Sequence, residues 1–189
     1  MKTKIPRHIL PVIVFAQFAG TSLWFAGNAV ADNIIAELGL PQMFLGYITT
    51  AVQAGFILGT LVFAIFNMAD RFSPVKVFLY CALGGAFLNL IIIGLESAIP
   101  ILIARFATGF FLAGIYPVGM KIASDWHQKG LGKALGYLVG ALVIGTAFPH
   151  LLKFIGHDYP WRFVFMGTSA IATIGGLLLF FTVKDGPFR

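Results

Sequence analysis

Long apolar runs, broken by short polar interruptions, fill the chain from Ile9 to Val183. A helix needs about 20 mainly apolar residues to cross the hydrocarbon core of a bilayer. Six runs meet that length, at roughly residues 9–31, 43–66, 77–95, 99–120, 134–152 and 163–183. Only Glu96, Ser97 and Ala98 separate the third from the fourth, which predicts a tight hairpin there. The expected fold is an all-α membrane protein, a single bundle of six transmembrane helices.

Polar side chains inside a span are costly unless they face protein or water, so their spacing shows which helix faces are wet. In the first run Gln17, Thr21, Trp24 and Asn28 follow an i, i+4, i+7, i+11 pattern, and Asp32 extends that face. Thr49, Gln53, Thr60 and Asn67 share a face of the second, and Arg105, Gly109, Leu112 and Tyr116 of the fourth. The third and sixth hold only isolated polar residues such as Asn89, Thr168 and Thr173. A single such residue is ordinarily packing glue between helices. Three aligned stripes instead predict a shared cavity lined by Gln17, Thr21, Trp24, Asn28, Gln53, Arg105 and Tyr116. Arg105 is the only charge deep within a run. Left unpaired it would cost at least ~2.5–3.5 kcal/mol. Its partner is a fixed brace of backbone carbonyls, Asp32 or a bound anion, with Trp24 available for a cation–π contact.

Composition sharpens this picture. The chain is 59% hydrophobic and 11% charged over 189 residues, which excludes a soluble domain. The formal charge of +6 does not indicate nucleic acid, because the bases sit in short loops beside the spans. Lys2, Lys4, Arg7, Arg71, Lys76, Lys121, Lys129, Lys133, Lys184 and Arg189 fall on one side; Lys153 and Arg162 fall on the other, with Asp32, Glu37, Glu96 and Asp158. That asymmetry places both termini in the cytoplasm. The basic start of the chain could open a signal peptide, but the first apolar run is longer than an h-region and is read as a retained span. A single Cys81 cannot form an internal disulfide. No nucleophile–base pairing, zinc-protease motif or phosphate loop is present, so no enzyme and no cofactor are expected. His8, His127, His150 and His157 lie in separate loops and ends, without metal-ligand spacing.

Small residues spaced by four let helix backbones approach. Gly55 and Gly59 form one such pair, and Gly132, Gly136 and Gly140 form a series. Ala54–Thr60 (AGFILGT) also echoes Gly140–Thr146 (GALVIGT), and Trp24–Val30 echoes Phe111–Val118 more weakly. The first span would then correspond to the fourth and the second to the fifth. An odd repeat of three helices inverts in the membrane, so this is a 3+3 inverted repeat.

These features together resemble the N-terminal six-helix half of the major facilitator superfamily. NMADRFSPVK, residues 67–76, is similar to the family's loop between its second and third helices, keeping Asp70, Arg71 and a basic Lys76. It departs at Asn67, where the family has Gly, and at Ser73 and Pro74. ARFATGFFLAG, residues 104–114, resembles the fourth-helix motif through Arg105, Gly109 and Ala113. GYLVGALVIG, residues 136–145, resembles the antiporter motif with Ala141 where a Pro is expected, and WRFVF, residues 161–165, the usual start of the sixth helix. The resemblance implies a secondary transporter. It also implies that Asp70, Arg71 and Lys76 form a conformational latch beneath the interface between two halves. There the acid would cap a helix of the other half, and the bases would pair with acids such as Asp125.

A full member of the family has about twelve helices, and this chain ends about where the family's central loop would begin. The expectation is a half-sized transporter of a small solute, leaning to a small anion, in the plasma membrane of a bacterium. Its partner would be a second copy in a parallel homodimer, joined through Gly55, Gly59, Gly132, Gly136 and Gly140, or else a separate six-helix half. Asp32 is the candidate carrier of a coupling proton; His150 also titrates in a suitable range, although Pro149 suggests a helix end there. The alternative from another class is a non-transporting membrane scaffold, favoured by the low polar content and by Asn67 and Ser73 in the loop.

Overall fold

The computed structural model describes residues 5–189 and is helical, with no strand among them. Lys2 and Lys4 of the basic start lie outside the described residues. The first span is built from α1 (Ile9–Thr21) and α2 (Ala26–Ala29), and α3 (Ala31–Leu38) carries the chain on beyond it. The second is α4 (Phe44–Ile65), followed by a single helical turn, α5 (Met68–Arg71). The third is α6 (Pro74–Ile91) with a closing 3-10 turn at Ile92–Gly94. The fourth is α7 (Ala98–Leu112) and α8 (Tyr116–Trp126), the fifth α9 (Leu131–Ile155) and the sixth α10 (Arg162–Thr182). Spans two to six are each long and apolar enough to cross a membrane.

Two boundaries differ from the sequence expectation for physical reasons. Pro149 does not end the fifth helix, which runs on to Ile155. Proline is tolerated inside membrane helices where neighbours pack on the weakened turn, and Pro149 is buried. The first and fourth spans, expected to be continuous, are interrupted at Ser22–Phe25 and at Ala113–Ile115. A helical wheel carried across either break therefore misassigns faces.

Span two packs on four, four on three, three on six, six on one, and one on five. Exchanging one with four, two with five and three with six leaves that list unchanged, as a 3+3 repeat requires. The helix seams repeat in detail. A Cβ on Gly59 would lie 2.5 Å from the Phe110 carbonyl oxygen and 2.9 Å from the Ala113 Cβ. A Cβ on Gly145 would lie 2.6 Å from the Phe18 carbonyl oxygen and also overlap Thr21 Oγ1. Phe18 thus corresponds to Phe110 and Thr21 to Ala113. The echo of Ala54–Thr60 in Gly140–Thr146 keeps this register, while that of Trp24–Val30 in Phe111–Val118 is offset from it.

The interior holds two apolar cores. One gathers Ile13, Val75, Phe78, Val118, Ile122 and Leu179 toward the end of the bundle where the described residues begin and end, called here the terminal end. The other gathers Ile34, Phe44, Ile48, Ile92, Ile101 and Phe165 at the opposite, distal end. Along each of spans one, three, four and six the changeover falls at a polar layer. The Leu23 and Trp24 carbonyls, Asn89, Arg105 and Thr108, and Thr168 and Ser169 mark it.

Candidate functional site

Arg105 is the centre of that polar layer and is fully enclosed, with 0% of its surface exposed. Its guanidinium donates to the Leu23 carbonyl at 3.1 Å, to the Trp24 carbonyl, and to Asn89 Oδ1 at 3.1 Å. Asn89 Nδ2 continues the network to Ser169 Oγ at 3.0 Å, Thr168 Oγ1 at 3.1 Å and the Phe165 carbonyl at 3.3 Å. Both carbonyls that bind Arg105 lie in the break of span one. Arg105 is therefore the carbonyl brace among its expected partners. It neither lines an open cavity nor pairs with Asp32, which is exposed in the first turn of α3. The planar fork of Arg suits such a site, since it can satisfy several acceptors set at fixed angles. By sequence Asn89 reads as an isolated polar residue; an amide level with Arg105 on a neighbouring span is the signal that marks it as a partner.

The break also divides the polar stripe of span one. Gln17 and Thr21 are buried within the bundle, whereas Trp24 and Asn28 are half-exposed. Gln17 sits against Gly119 of span four, and neither atom of its amide has a partner. Asn28 Nδ2 donates to Thr49 Oγ1 of span two at 2.6 Å, and Trp24 packs on Phe56 with ring centroids 4.7 Å apart. Gln53, one turn beyond Thr49, is exposed. Trp24, Asn28, Thr49 and Gln53 thus form one polar patch beside the break, open at Gln53 and half-buried at the other three, with Asn28 Oδ1 enclosed and without a partner. Tyr116 starts α8 beyond the other break, is half-buried, and is not among the residues brought into this patch.

Charges of the loop after span two separate. Asp70 is 69% exposed and lies 3.5 Å from Lys121, which holds Asp125 at 2.7 Å one turn away on the same helix. Lys121, and not Arg71 or Lys76, is the partner of Asp125, because the i, i+4 spacing on α8 puts the two side chains together. Asp70 also borders a cavity of about 200 Å³ with Thr60, Asn67 and Pro117. Arg71 and Lys76 border a different groove. The two departures from the family loop have conformational explanations. Asn67 adopts φ 49°, the left-handed region natural to Gly, and Asn tolerates it best among the others. Ser73 caps α6, accepting from the Lys76 N–H, with Pro74 at the first helical position.

Each end of the bundle is clasped. At the distal end Glu37 accepts from Arg162 at 2.8 and 3.2 Å and from Trp161 Nε1 at 2.6 Å. Arg162 Nε reaches the Ile93 carbonyl at 3.0 Å, and its guanidinium lies 4.4 Å from the Trp161 ring centroid. Hydrogen bonds from Arg162 first, and Trp161 second, hold the Glu37 carboxyl below its ordinary range. At the terminal end Ser73 Oγ donates to Asp185 at 2.8 Å, Trp126 Nε1 to the Lys184 carbonyl at 2.9 Å, and the Phe188 N–H to the Asp125 carbonyl at 3.1 Å. One clasp joins spans one, six and three, and the other joins four, three and six. These are equivalents under the repeat.

The glycines divide as well. Gly55 and Gly59 were expected at a partner interface, but they face inward, against Phe106 and Phe110 of span four. Gly109 returns the contact against Val52. This seam brings two backbones of one chain together and leaves no room for a partner. Gly132, Gly136 and Gly140 are exposed, and a Cβ added at any of them would meet nothing within 4 Å.

A family model described as Major Facilitator Superfamily matches residues 12–188. Among curated proteins, the chain is 25% identical over 95% of its length to the nitrate/nitrite transporter NrtP of a Picosynechococcus strain, covering 39% of that protein. It is 26% identical over 88% of its length to the probable galactarate/D-glucarate transporter GudP of Bacillus subtilis, covering 38%. A putative uncharacterized transporter of Escherichia coli, YgaY, is 25% identical over 94% of the chain and is covered to 46%. The chain therefore spans less than half the length of these relatives. Among solved structures, a bacterial homologue of the human lysosomal transporter Spinster, inward-facing and unoccupied, superposes with a TM-score of 0.80 at 19% identity. That match covers 96% of this chain and 44% of the other, which gives the fold: half of that architecture.

Proposed function

Because the chain belongs to the Major Facilitator Superfamily, a family of transporters and not of enzymes, we propose that it supplies half of a secondary transporter. In this reading it moves a small anion across a bacterial plasma membrane by alternating access, with both termini in the cytoplasm. The observation that carries it is the polar patch of Trp24, Asn28, Thr49 and Gln53 beside the break in span one, open at Gln53. An exposed amide on a membrane helix is costly against lipid and favourable against water or a bound solute. Gln53 and the Trp24 indole offer neutral N–H donors to anion oxygens. Two relatives bear the names of nitrate, nitrite, galactarate and D-glucarate transporters, all anions, which supports that class. Arg105 holds the wall of the site in place, and exposed Asp32 is the carboxylate available to carry a coupling proton.

The other half is a second copy of this chain in parallel orientation. Spans two and five are the least covered, 22% buried against 44–50% for three, four and six. Gly136 and Gly140 border an apolar groove of about 550 Å³ with Pro11, Phe15 and Phe18 of span one, and Gly132 lies one turn further along the same exposed stripe. Small residues at this spacing admit a close helix neighbour. In such a pair Asp70 would meet the partner bundle at the terminal end, and one protomer would rock against the other.

The test uses the purified chain in proteoliposomes with a panel of labelled small anions, including nitrate and glucarate. Uptake is expected for at least one, and Gln53→Leu should lower its kcat/KM about tenfold, near the ~1.5 kcal/mol of one hydrogen bond to a charged group. Gly136→Cys in a Cys81→Ser background should cross-link differently tagged copies. Uptake by a monomer, or copies running in opposite senses, would remove the homodimer. Absence of uptake of any anion while the pair is intact would remove the transport reading.

A further inference from the structure

The loop between spans two and three sends its charges in two directions. Asp70 turns to Lys121, while Arg71 and Lys76 border a groove of about 690 Å³ between spans two and three, floored by Phe110 and Phe111 of span four. Spans two and three each pack on span four but not closely on one another, so the groove opens sideways. Below the two cations its wall is apolar, built from Val62, Phe63, Val77 and Cys81. Phe72 and Tyr80 stand exposed at its rim. Neither Arg71 nor Lys76 has an ion-pair partner among the described residues. Nearby acids are already engaged, Asp70 by Lys121 and Asp185 by Ser73 and Arg189.

We propose that this groove binds one anionic phospholipid, its phosphate on Arg71 and Lys76 and an acyl chain along the floor. Lys76 and Cys81 are five residues apart on span three, so that cation stands ~7.5 Å above the deeper part of the apolar wall, the arrangement of headgroup and chain in a lipid. Water is a poor occupant of an apolar groove that lies in the hydrocarbon region. A pair of cations at the edge of that groove, on the side rich in Lys and Arg, complements the anionic surface of a cytoplasmic leaflet. Aromatic rings at the rim suit the membrane interface. This site is separate from the polar patch beside Trp24 and does not depend on what that patch carries.

The full chain, purified in detergent, is titrated with phosphatidylglycerol and with phosphatidylcholine of the same acyl chains, and bound lipid is counted by native mass spectrometry. One phosphatidylglycerol should be retained in preference to phosphatidylcholine. The double variant Arg71→Gln, Lys76→Gln should weaken its binding ~30-fold, about fivefold for each cation, and leave phosphatidylcholine unchanged. The control Lys129→Gln, Lys153→Gln, which removes one exposed and one half-buried cation elsewhere, should behave as the unaltered chain. Equal retention of the two lipids, or undiminished phosphatidylglycerol binding in the double variant, overturns the proposal. So does displacement of the lipid by soluble glycerol phosphate, which would mark a free-anion site.

Discussion

Gly59→Ala and Gly136→Ala are the same chemical change at two glycines of the same kind of helix, and the structure predicts opposite signs for them. At Gly59 the new methyl would lie 2.5 Å from a backbone oxygen and 2.9 Å from the Ala113 Cβ, where ordinary contact begins at 3.4 Å. The Phe110 carbonyl is fixed by helix geometry and the Ala113 methyl has no rotamer to turn aside, so spans two and four must part by up to about 1 Å. Overpacking of that kind costs ~1–3 kcal/mol. The gain in helix propensity, ~0.5–1 kcal/mol, offsets part of it. Net destabilisation of roughly 1–2 kcal/mol is expected. At Gly136 nothing lies within 4 Å of the new methyl, so only the propensity gain of ~0.5–1 kcal/mol remains. Thermal unfolding of the purified variants in one detergent measures both. An unaltered Gly59→Ala melting temperature would refute the internal seam, as would equal losses at the two sites. A Gly59→Ala chain that melts normally but no longer associates would return Gly59 to a surface between copies.

Asn89→Leu should destabilise the bundle by ~1–3 kcal/mol, since it leaves Arg105 one acceptor short inside an apolar interior. Arg105→Lys should also destabilise it, because a single ammonium nitrogen cannot stand in for the two guanidinium nitrogens between which the three acceptors are divided; wild-type melting of either variant would contradict the brace. Glu37 titrates below its ordinary range in the folded chain. The distal clasp therefore adds stability at neutral pH and loses it as pH falls through the lowered Glu37 value. Glu37→Gln should melt lower at neutral pH and show a smaller drop on acidification, which a series of melts across the acid range would check.

Six apolar runs, the repeat and the loop motif were legible because each rests on local pattern. Length and hydropathy mark a span whatever it packs on, and Asp70–Arg71 is a contiguous signal. The face assignments failed where they depended on an unbroken helix. Gln17 and Asn28 share a stripe only if α1 continues past Thr21, and no proline or charge in residues 22–25 announces the break. Arg105 could be recognised as needing partners, but backbone carbonyls leave no mark in a sequence, so the brace remained one choice among three. Gly55 and Gly136 look alike as letters. What separates them is whether another helix of the same chain lies opposite, a tertiary fact. Asn67 was legible as a departure from a motif yet not as a conservative one, because its fitness rests on a backbone angle.

The twin clasps constrain where motion can take place. Spans three and six are stapled at the distal end to span one, and at the terminal end to each other and, through the segment after span six, to span four, by groups related through the internal repeat. A block fastened at both lids resists shear among its own helices and transmits torque as one lever. In the proposed pair, a swing that opens a pathway would have its fulcrum outside that block, along the lightly covered flanks of spans two and five.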